Sequence, residues 1–189
     1  NSFLEMIRKN IFRALPNLYL QDFDANDINW PHLNLVYNDL KAFFSSKLMS
    51  KLKSDQIISL MNIFLINTYS SDERERQSVK DCLSLLYSKI NDNDSKKSVI
   101  KSTFNRIELG KTSAELLGFI YDIVPDIPTL FPEQLLQFYT AVLSLHNSPL
   151  YMKFSGSLSS CITRFIRTKR TLLEPTILFL VNHWPKAGI

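Results

Sequence analysis

The fold class is decided by the stretch Asp72-Glu-Arg-Glu-Arg-Gln-Ser-Val-Lys-Asp-Cys-Leu-Ser-Leu-Leu86. Asp72 followed three residues later by Glu75 is typical of a capping box, in which two side chains satisfy amide groups at a helix start. Apolar side chains then recur at intervals of three and four residues, the period at which residues share one face of an α-helix. These are Val79, Cys82, Leu83 and Leu86. The stretch therefore predicts an amphipathic helix.

Similar start signals recur along the whole chain at a regular interval. Two more read as capping boxes, Thr112 with Glu115 and Thr171 with Glu174. Helix starts are predicted near residues 30, 54, 72, 94, 113, 132, 153 and 171, so a helix pair repeats about every 40 residues. That is the period of HEAT and armadillo arrays, whose pairs bury their apolar faces only against neighbours. The spacing favours an all-α, HEAT/armadillo-like α-solenoid of helical hairpins, and a plain helical bundle is the alternative that it also allows.

Composition agrees with an all-helical domain. Four glycines in 189 residues are few for a loop-rich β fold, and 45% hydrophobic residues exclude disorder of the whole chain. Residues 3–15 have helical apolar spacing up to Pro16, where a helix should stop. The stretch from Ile57 to Ile66 is apolar almost all round, which predicts a helix buried on several sides. We expect one continuous domain over residues 1–189.

Cysteine usage and hydropathy indicate a location. Cys82 and Cys161 lie in apolar helical patterns, which predicts reduced core residues and leaves a disulfide as the alternative. No apolar run reaches the ~20 residues of a membrane span, and no signal-peptide pattern opens the chain. We therefore expect a cytoplasmic protein, with the nucleus as a further location, and no membrane partner.

Basic charge is concentrated in residues 135–189, which contain six basic residues and a single acidic one, Glu174. Such a bias attracts phosphate groups or acidic peptides. The alternative is that these side chains solvate the outer face of packed helices. We favour that alternative, and expect no nucleic-acid partner, because the basic residues are not interleaved with aromatic ones.

The sequence offers no arrangement of reactive side chains that would support catalysis. His32, His146 and His183 lie too far apart along the chain for the i, i+4 spacing of a zinc helix, and neither cysteine is near one. The serines of residues 155–160 lack the strand–turn–helix context and the neighbouring base that a serine nucleophile needs. We expect no catalytic residue, no metal and no cofactor.

Five short segments occur in a specific order. Three are Trp30-Pro-His-Leu-Asn-Leu-Val-Tyr37, Asp72-Glu-Arg-Glu-Arg76 and Thr171-Leu-Leu-Glu-Pro-Thr-Ile-Leu-Phe-Leu-Val-Asn-His-Trp-Pro-Lys186, and between the last two lie Ala114-Glu-Leu-Leu117 and Leu143-Ser-Leu-His146. Together, in this order and at this spacing, they resemble the B-prime family of regulatory subunits of protein phosphatase 2A.

The resemblance implies both a fold and a function. The family is a HEAT-like α-solenoid, of which this chain would form roughly the N-terminal half. The implied function is that of a non-catalytic regulatory subunit, which assembles with the scaffold and catalytic subunits of protein phosphatase 2A. Its substrates or adaptors would be proteins with short linear motifs. The alternative is a generic helical-repeat adaptor that serves another partner.

The first site implied by the resemblance is the charged segment Asp72, Glu73, Arg74, Glu75 and Arg76. The similar family segment lies in an exposed loop close to the scaffold and catalytic subunits, although Glu73 stands where the family usually has proline. The residues alone also fit a solvated first helical turn, in which acids suit the helix dipole. Both interpretations stay open at this stage.

The second implied site is a groove for linear motifs of the type Leu-x-x-Ile-x-Glu, which needs apolar pockets and basic groups. The resemblance places Tyr87, Phe119 and Ile123 in it, with Phe119 replacing an isoleucine. The family's basic groups fall on Ser84, Leu85, Pro132 and Leu135, its glutamate falls on Gly118, and a further arginine falls near Asn93 or Asp94. The resemblance therefore implies a groove that keeps apolar pockets and has lost its anion-binding half.

Overall fold

The structure, a computed structural model, describes residues 9, 11 and 27–183, and every regular element within them is a helix. The helix predicted over residues 3–15 therefore lies outside the described residues, apart from positions 9 and 11. The same holds for residues 184–186 at the end of the last family-like segment.

Nine α-helices run through residues 27–183. They are α1 (Trp30–Ser45), α2 (Ser54–Asn67), α3 (Glu73–Tyr87), α4 (Asn93–Glu108), α5 (Ala114–Ile123), α6 (Ile127–Leu130), α7 (Leu135–Ser144), α8 (Tyr151–Thr168) and α9 (Leu173–Asn182). Short 3-10 helices lie at Lys47–Lys51, Val124–Asp126, Leu145–Asn147 and Arg170–Leu172. The eight longer α-helices begin close to the eight predicted starts, because starts and apolar period are both local signals.

The chain divides into two compact units, Asn1–Arg106 and Ile107–Ile189. In the first unit, α1 and α2 both pack against α3. In the second unit, α5 and α7 both pack against α8. The same relation among three long helices thus occurs in each unit, as expected where helices bury their apolar faces against neighbouring pairs. The predicted all-α, α-solenoid class is confirmed, and the single continuous domain over residues 1–189 stays a prediction.

Helix α2 buries a wide face without being enclosed all round. Its buried side chains are Ile57, Leu60, Met61, Phe64 and Leu65, with Phe64 in an edge-to-face contact with Phe44 at 6.1 Å. Ser59 is exposed and Ile66 is 50% exposed, so the predicted burial on several sides does not extend to this edge of the helix. The apolar run contains more hydrophobic residues than neighbouring helices cover.

The two cysteines lie in the cores of the two units, as predicted. Cys82 on α3 and Cys161 on α8 are both fully buried, and neither forms a disulfide. Burial raises the pKa of each thiol from 9.0 to about 12. Beside Cys161 on α8, Phe165 packs against Tyr139 of α7 with ring centroids 5.3 Å apart.

Two of the three predicted capping boxes, those of Thr112 and Thr171, do not form. The side-chain cap of α5 is Ser113, whose hydroxyl accepts the Leu116 amide at 3.1 Å, while the buried Thr112 hydroxyl has no hydrogen-bond partner. Thr171 lies in the 3-10 turn before α9, which begins at Leu173 without a side-chain cap. A serine or threonine caps a helix only where its backbone is extended and its oxygen faces the first turn, and the sequence does not specify that register.

Candidate partner-binding site

Asp72 is the cap of α3 and the centre of a hydrogen-bonded cluster at the start of that helix. Its Oδ1 accepts the Arg74 amide at 2.9 Å, and its Oδ2 accepts the backbone amide of Asp27 at 2.8 Å. Its own amide donates to the hydroxyl of Ser70 at 3.4 Å. Burial raises the pKa of the Asp72 carboxyl, but the hydrogen bonds from Arg74 and Asp27 outweigh it, so the pKa lies below its ordinary value. Asp72 is 1% exposed and acts as an internal anchor.

Glu75 points into the core rather than back to the helix start. Its Oε1 accepts the phenol of Tyr37 on α1 at 3.0 Å, and its Oε2 accepts the hydroxyl of Ser70. Glu75 is 1% exposed, and Tyr37 is fully buried. The capping box predicted from Asp72 and Glu75 is therefore half correct: Asp72 caps, whereas Glu75 ties α3 to α1.

Arg76 closes the loop that precedes α3. Its Nη1 donates to the carbonyl oxygens of Ser70 at 2.9 Å and Ser71 at 3.1 Å. Arg76 is 4% exposed. Buried carbonyl groups in a loop need donors, and this guanidinium supplies them.

Glu73 and Arg74 are the members of the segment that face outward. Both are exposed, and the Arg74 side chain retains 46% of its accessible surface. Arg74 forms a two-point ion pair with Asp72, at 3.0 Å from Nε and 2.7 Å from an Nη, and its guanidinium lies 5.2 Å from the ring centroid of Trp30. The ion pair with Asp72 and the contact with Trp30 therefore fix the conformation of the Arg74 side chain, while part of its surface stays exposed to solvent.

The five charges thus divide into two groups with different roles. The solvated first turn, one of the two interpretations of the sequence, is wrong for Asp72, Glu75 and Arg76, which are buried. Of the five, Glu73 and Arg74 are the exposed ones. Tyr37 shares the buried face of α1 with Leu33 and Leu40, and nothing in the sequence named Glu75 as its partner.

Tyr87, the one predicted groove residue that belongs to the first unit, lies at the end of α3 and is 7% exposed. The ammonium of Lys96 on α4 lies 5.3 Å from the centroid of its ring. Sequence reasoning did not identify Lys96, because the two residues lie on different helices and no local spacing links them. A basic group therefore lies beside Tyr87, at a position other than Ser84 and Leu85, where the resemblance places basic groups of the family.

The two predicted groove residues in the second unit, Phe119 and Ile123, lie one turn apart on α5. Both are fully buried, as are Leu116 and Ile120 of the same helix. Pro132 lies in the exposed turn before α7, and Leu135 begins that helix at 7% exposure. The joint role of Tyr87, Phe119 and Ile123 as one peptide groove stays a prediction.

Two histidines, His146 and His183, pack against aromatic rings. The ring of His183 stacks on Phe179 at 4.1 Å, and that of His146 packs edge-on against Tyr151 at 4.9 Å. Within residues 27–183, no three His, Cys, Asp or Glu side chains come together as metal ligands would. In the same part of the chain, no helix has both the length and the apolar character needed to cross a bilayer.

Comparison with known proteins identifies the family. Residues 1–189 match the family described as Protein phosphatase 2A regulatory B subunit (B56 family). The chain belongs to this family. The resemblance found in the sequence is thereby confirmed. The all-helical fold described above agrees with it.

Curated relatives are similar to the B56 chain along almost all of its length. The human 56 kDa regulatory subunit alpha isoform is 29% identical over 207 residues, covering 98% of this chain and 41% of the relative. The human beta isoform is 30% identical, with 97% and 40% covered, and the delta isoform of Saccharomyces cerevisiae is 27% identical, with 97% and 26% covered. The chain therefore spans about two fifths of the length of the human relatives. All three are named as regulatory subunits of a serine/threonine-protein phosphatase 2A.

Proposed function

We propose that this B56 chain acts within a non-catalytic regulatory subunit, which assembles with the scaffold and catalytic subunits of protein phosphatase 2A and selects their substrates. Family membership over residues 1–189 is the observation that carries the proposal. The helical-repeat fold supports it, since stacked helix pairs present extended surfaces for other proteins. A cytoplasmic location, extending to the nucleus, belongs to the same proposal.

The segment Asp72–Arg76 is our candidate for contact with the phosphatase core. Buried anchors on both sides of Glu73 and Arg74 fix the backbone there, through Asp72 and through Glu75. A contact surface that is already ordered loses little conformational entropy on binding. Glu73 and the open side of Arg74 are therefore suited to direct contact, whereas Asp72, Glu75 and Arg76 position them.

Co-elution tests the proposal. The chain is mixed with purified scaffold and catalytic subunits and resolved by size exclusion, and phosphatase activity is measured on the chain alone. We expect co-elution at micromolar concentration and no activity without the catalytic subunit. Failure to co-elute would favour the alternative, a helical-repeat adaptor that has kept the B56 fold for another partner.

The adaptor alternative is supported by the composition of the implied groove, which lacks basic residues of the family pattern. Ser84, Leu85 and Pro132 stand where the family pattern has basic residues.

We propose that the groove binds Leu-x-x-Ile-x-Glu motifs weakly, through apolar anchors and with less demand for acidic residues. Lys96 is the candidate for binding the glutamate of the motif, because its ammonium lies beside Tyr87.

A further inference from the structure

A cleft of about 780 Å³ opens on the first unit, and its lining includes neither Tyr87 nor any residue of Asp72–Arg76. Its walls come from the end of α1 with the following 3-10 helix, the start of α2, and the loop between α3 and α4. Clefts of this size are typical of ligand-binding sites in proteins.

The floor of the cleft is apolar. Met49, Ile57 and Ile90 line it, and each is less than 10% exposed overall, so only part of each side chain faces the opening. The half-buried Leu52 extends this surface toward the edge. An apolar side chain of a ligand would displace water from this floor, which is the main source of affinity at small contact sites.

The walls are held together by hydrogen bonds. The Ser54 hydroxyl at the start of α2 donates to Oδ2 of Asp92 at 3.3 Å, which joins two of the three wall segments. Oδ1 of Asp92 accepts the Ser95 amide at 2.7 Å, and Ser46 Oγ accepts the Leu48 amide at 3.2 Å. The Ser54–Asp92 bond thus ties two walls to each other, and the other two bonds each order a single segment of the cleft.

The rim carries a positive charge balance. The charged residues that line the cleft are two lysines, Lys47 and Lys89, and one acid, Asp92. Both carboxylate oxygens of Asp92 accept hydrogen bonds from the protein. Lys51 and Lys53 are two further exposed lysines in the neighbouring sequence, outside the lining of the cleft, and Asp55 is one further exposed acid. The potential at the opening thus favours a ligand with negative charge next to its apolar group.

We propose that this cleft is a second peptide-binding site, which takes a short segment of a partner protein with one aliphatic side chain and an acidic residue two or three positions away. The aliphatic side chain lies on Met49, Ile57 and Ile90, and the acid meets Lys89 and Lys47. Peptide binding at this cleft does not require assembly with the phosphatase core. It can therefore be tested on the chain alone, separately from the proposed function.

The test is a titration of the ¹⁵N-labelled chain with the peptide acetyl-Ser-Gly-Leu-Ser-Glu-Glu-Gly-amide, followed by amide chemical shifts. We expect saturable shifts confined to residues 45–57 and 89–92. A peptide with glycine in place of the leucine should bind about tenfold more weakly, because the buried leucine surface is lost. Shifts centred elsewhere, no saturable shift, or equal binding of the glycine peptide would overturn the proposal.

Matched variants test the charge. Lys89→Glu, at the rim, should weaken binding of the leucine peptide about fivefold at physiological ionic strength, where an exposed ion pair contributes modestly. Lys51→Glu makes the same charge change on an exposed lysine that does not line the cleft, and should change binding by less than about twofold. Equal losses in the two variants would show a diffuse electrostatic effect and would overturn the assigned site.

Discussion

The phenol of Tyr37 donates a hydrogen bond of 3.0 Å to Oε1 of Glu75, which joins α1 to α3 across 38 residues of sequence. Both side chains are buried, and Ser70 donates to the other oxygen of the same carboxylate. Burial raises the pKa of Tyr37 well above its ordinary value, and the negative charge of Glu75 raises it further. The contact orders the backbone on which Glu73 and Arg74 stand.

Tyr37→Phe should lower the free energy of unfolding by about 1–3 kcal/mol, because it removes a donor to a buried carboxylate and adds no new contact. Chemical denaturation followed by circular dichroism measures the change. The control is Tyr151→Phe, at a half-buried tyrosine whose ring packs against His146. An equal loss in the two variants would contradict the role assigned to the Tyr37–Glu75 bond.

Glu73→Lys should weaken co-elution with the scaffold and catalytic subunits and leave the helical content unchanged, since the side chain is exposed on an ordered turn. Asp94→Lys is the matched control, because Asp94 is an exposed acid in the first turn of α4. Charge reversal at Glu75 or Arg76 is not a useful test of assembly, since both are buried and the variants would unfold. Normal assembly of Glu73→Lys would remove Glu73 from the contact.

A Leu-x-x-Ile-x-Glu peptide should bind this chain about a hundredfold more weakly than it binds a relative with the basic groove residues, because two charge-assisted hydrogen bonds are lost. Fluorescence anisotropy measures both affinities. Lys96→Gln should abolish the remaining preference for the motif's glutamate over glutamine. Low-micromolar binding that depends on the glutamate in both the unchanged chain and Lys96→Gln would show that other basic groups serve the groove.

The free energy of unfolding should fall as pH rises from 9 toward 12. Burial raises the pKa of the Cys82 and Cys161 thiols from 9.0 to about 12, so the unfolded chain loses these protons first and is favoured above pH 9. The slope from each thiol is at most about 1.4 kcal/mol per pH unit. The raised pKa of Tyr37 acts in the same direction above its ordinary value of 10.0.

Denaturation curves at pH 8, 9 and 10 measure this slope, with pH 8 as the reference below both thiol titrations. Cys82→Ala with Cys161→Ala should flatten the profile while lowering its level, because each change also leaves a cavity. The unchanged chain should react with a thiol reagent at neutral pH only as fast as it unfolds. Rapid labelling of the native chain would contradict the burial of the thiols.

The outer face of α9 should cause the purified chain to self-associate. Leu173, Ile177, Leu178 and Val181 are between 49% and 70% exposed and lie at helical spacing. Leu178→Lys with Val181→Lys should increase the monomer fraction, measured by size exclusion with light scattering. Met152→Lys is the control, since Met152 is an exposed apolar residue on α8 at 83% exposure. Equal effects of the two changes would show that the α9 face has no special part in association.

Amide hydrogen exchange gives a second measure of the same feature. Exchange should be faster in α9, where Thr176 is the one buried residue among those described, than in α2, which buries Ile57, Leu60 and three further apolar side chains. Few buried contacts allow local opening at low free energy. Equal protection of the two helices would contradict the inference that the small buried surface of α9 lets it open more readily than α2.

Much of the fold was predictable because its signals are local. Turn residues and apolar positions at intervals of three and four placed the helix starts near residues 30, 54 and 171, and the observed helices begin close to them. The burial of Cys82 and Cys161 followed from the same period. Such patterns depend on residues within one or two helical turns, which any single sequence contains.

The sequence by itself determined the helical repeat and the family, through the order and spacing of short segments. Only the tertiary structure decided which charges of Asp72–Arg76 are buried, because a carboxylate can enter a core only where distant groups supply donors. Tyr37 supplies one to Glu75 from another helix, and Asp27 supplies one to Asp72 across 45 residues. Lys96 likewise reaches the ring of Tyr87 from the next helix, α4. These partners are separated in sequence and brought together by packing, so no local pattern could name them.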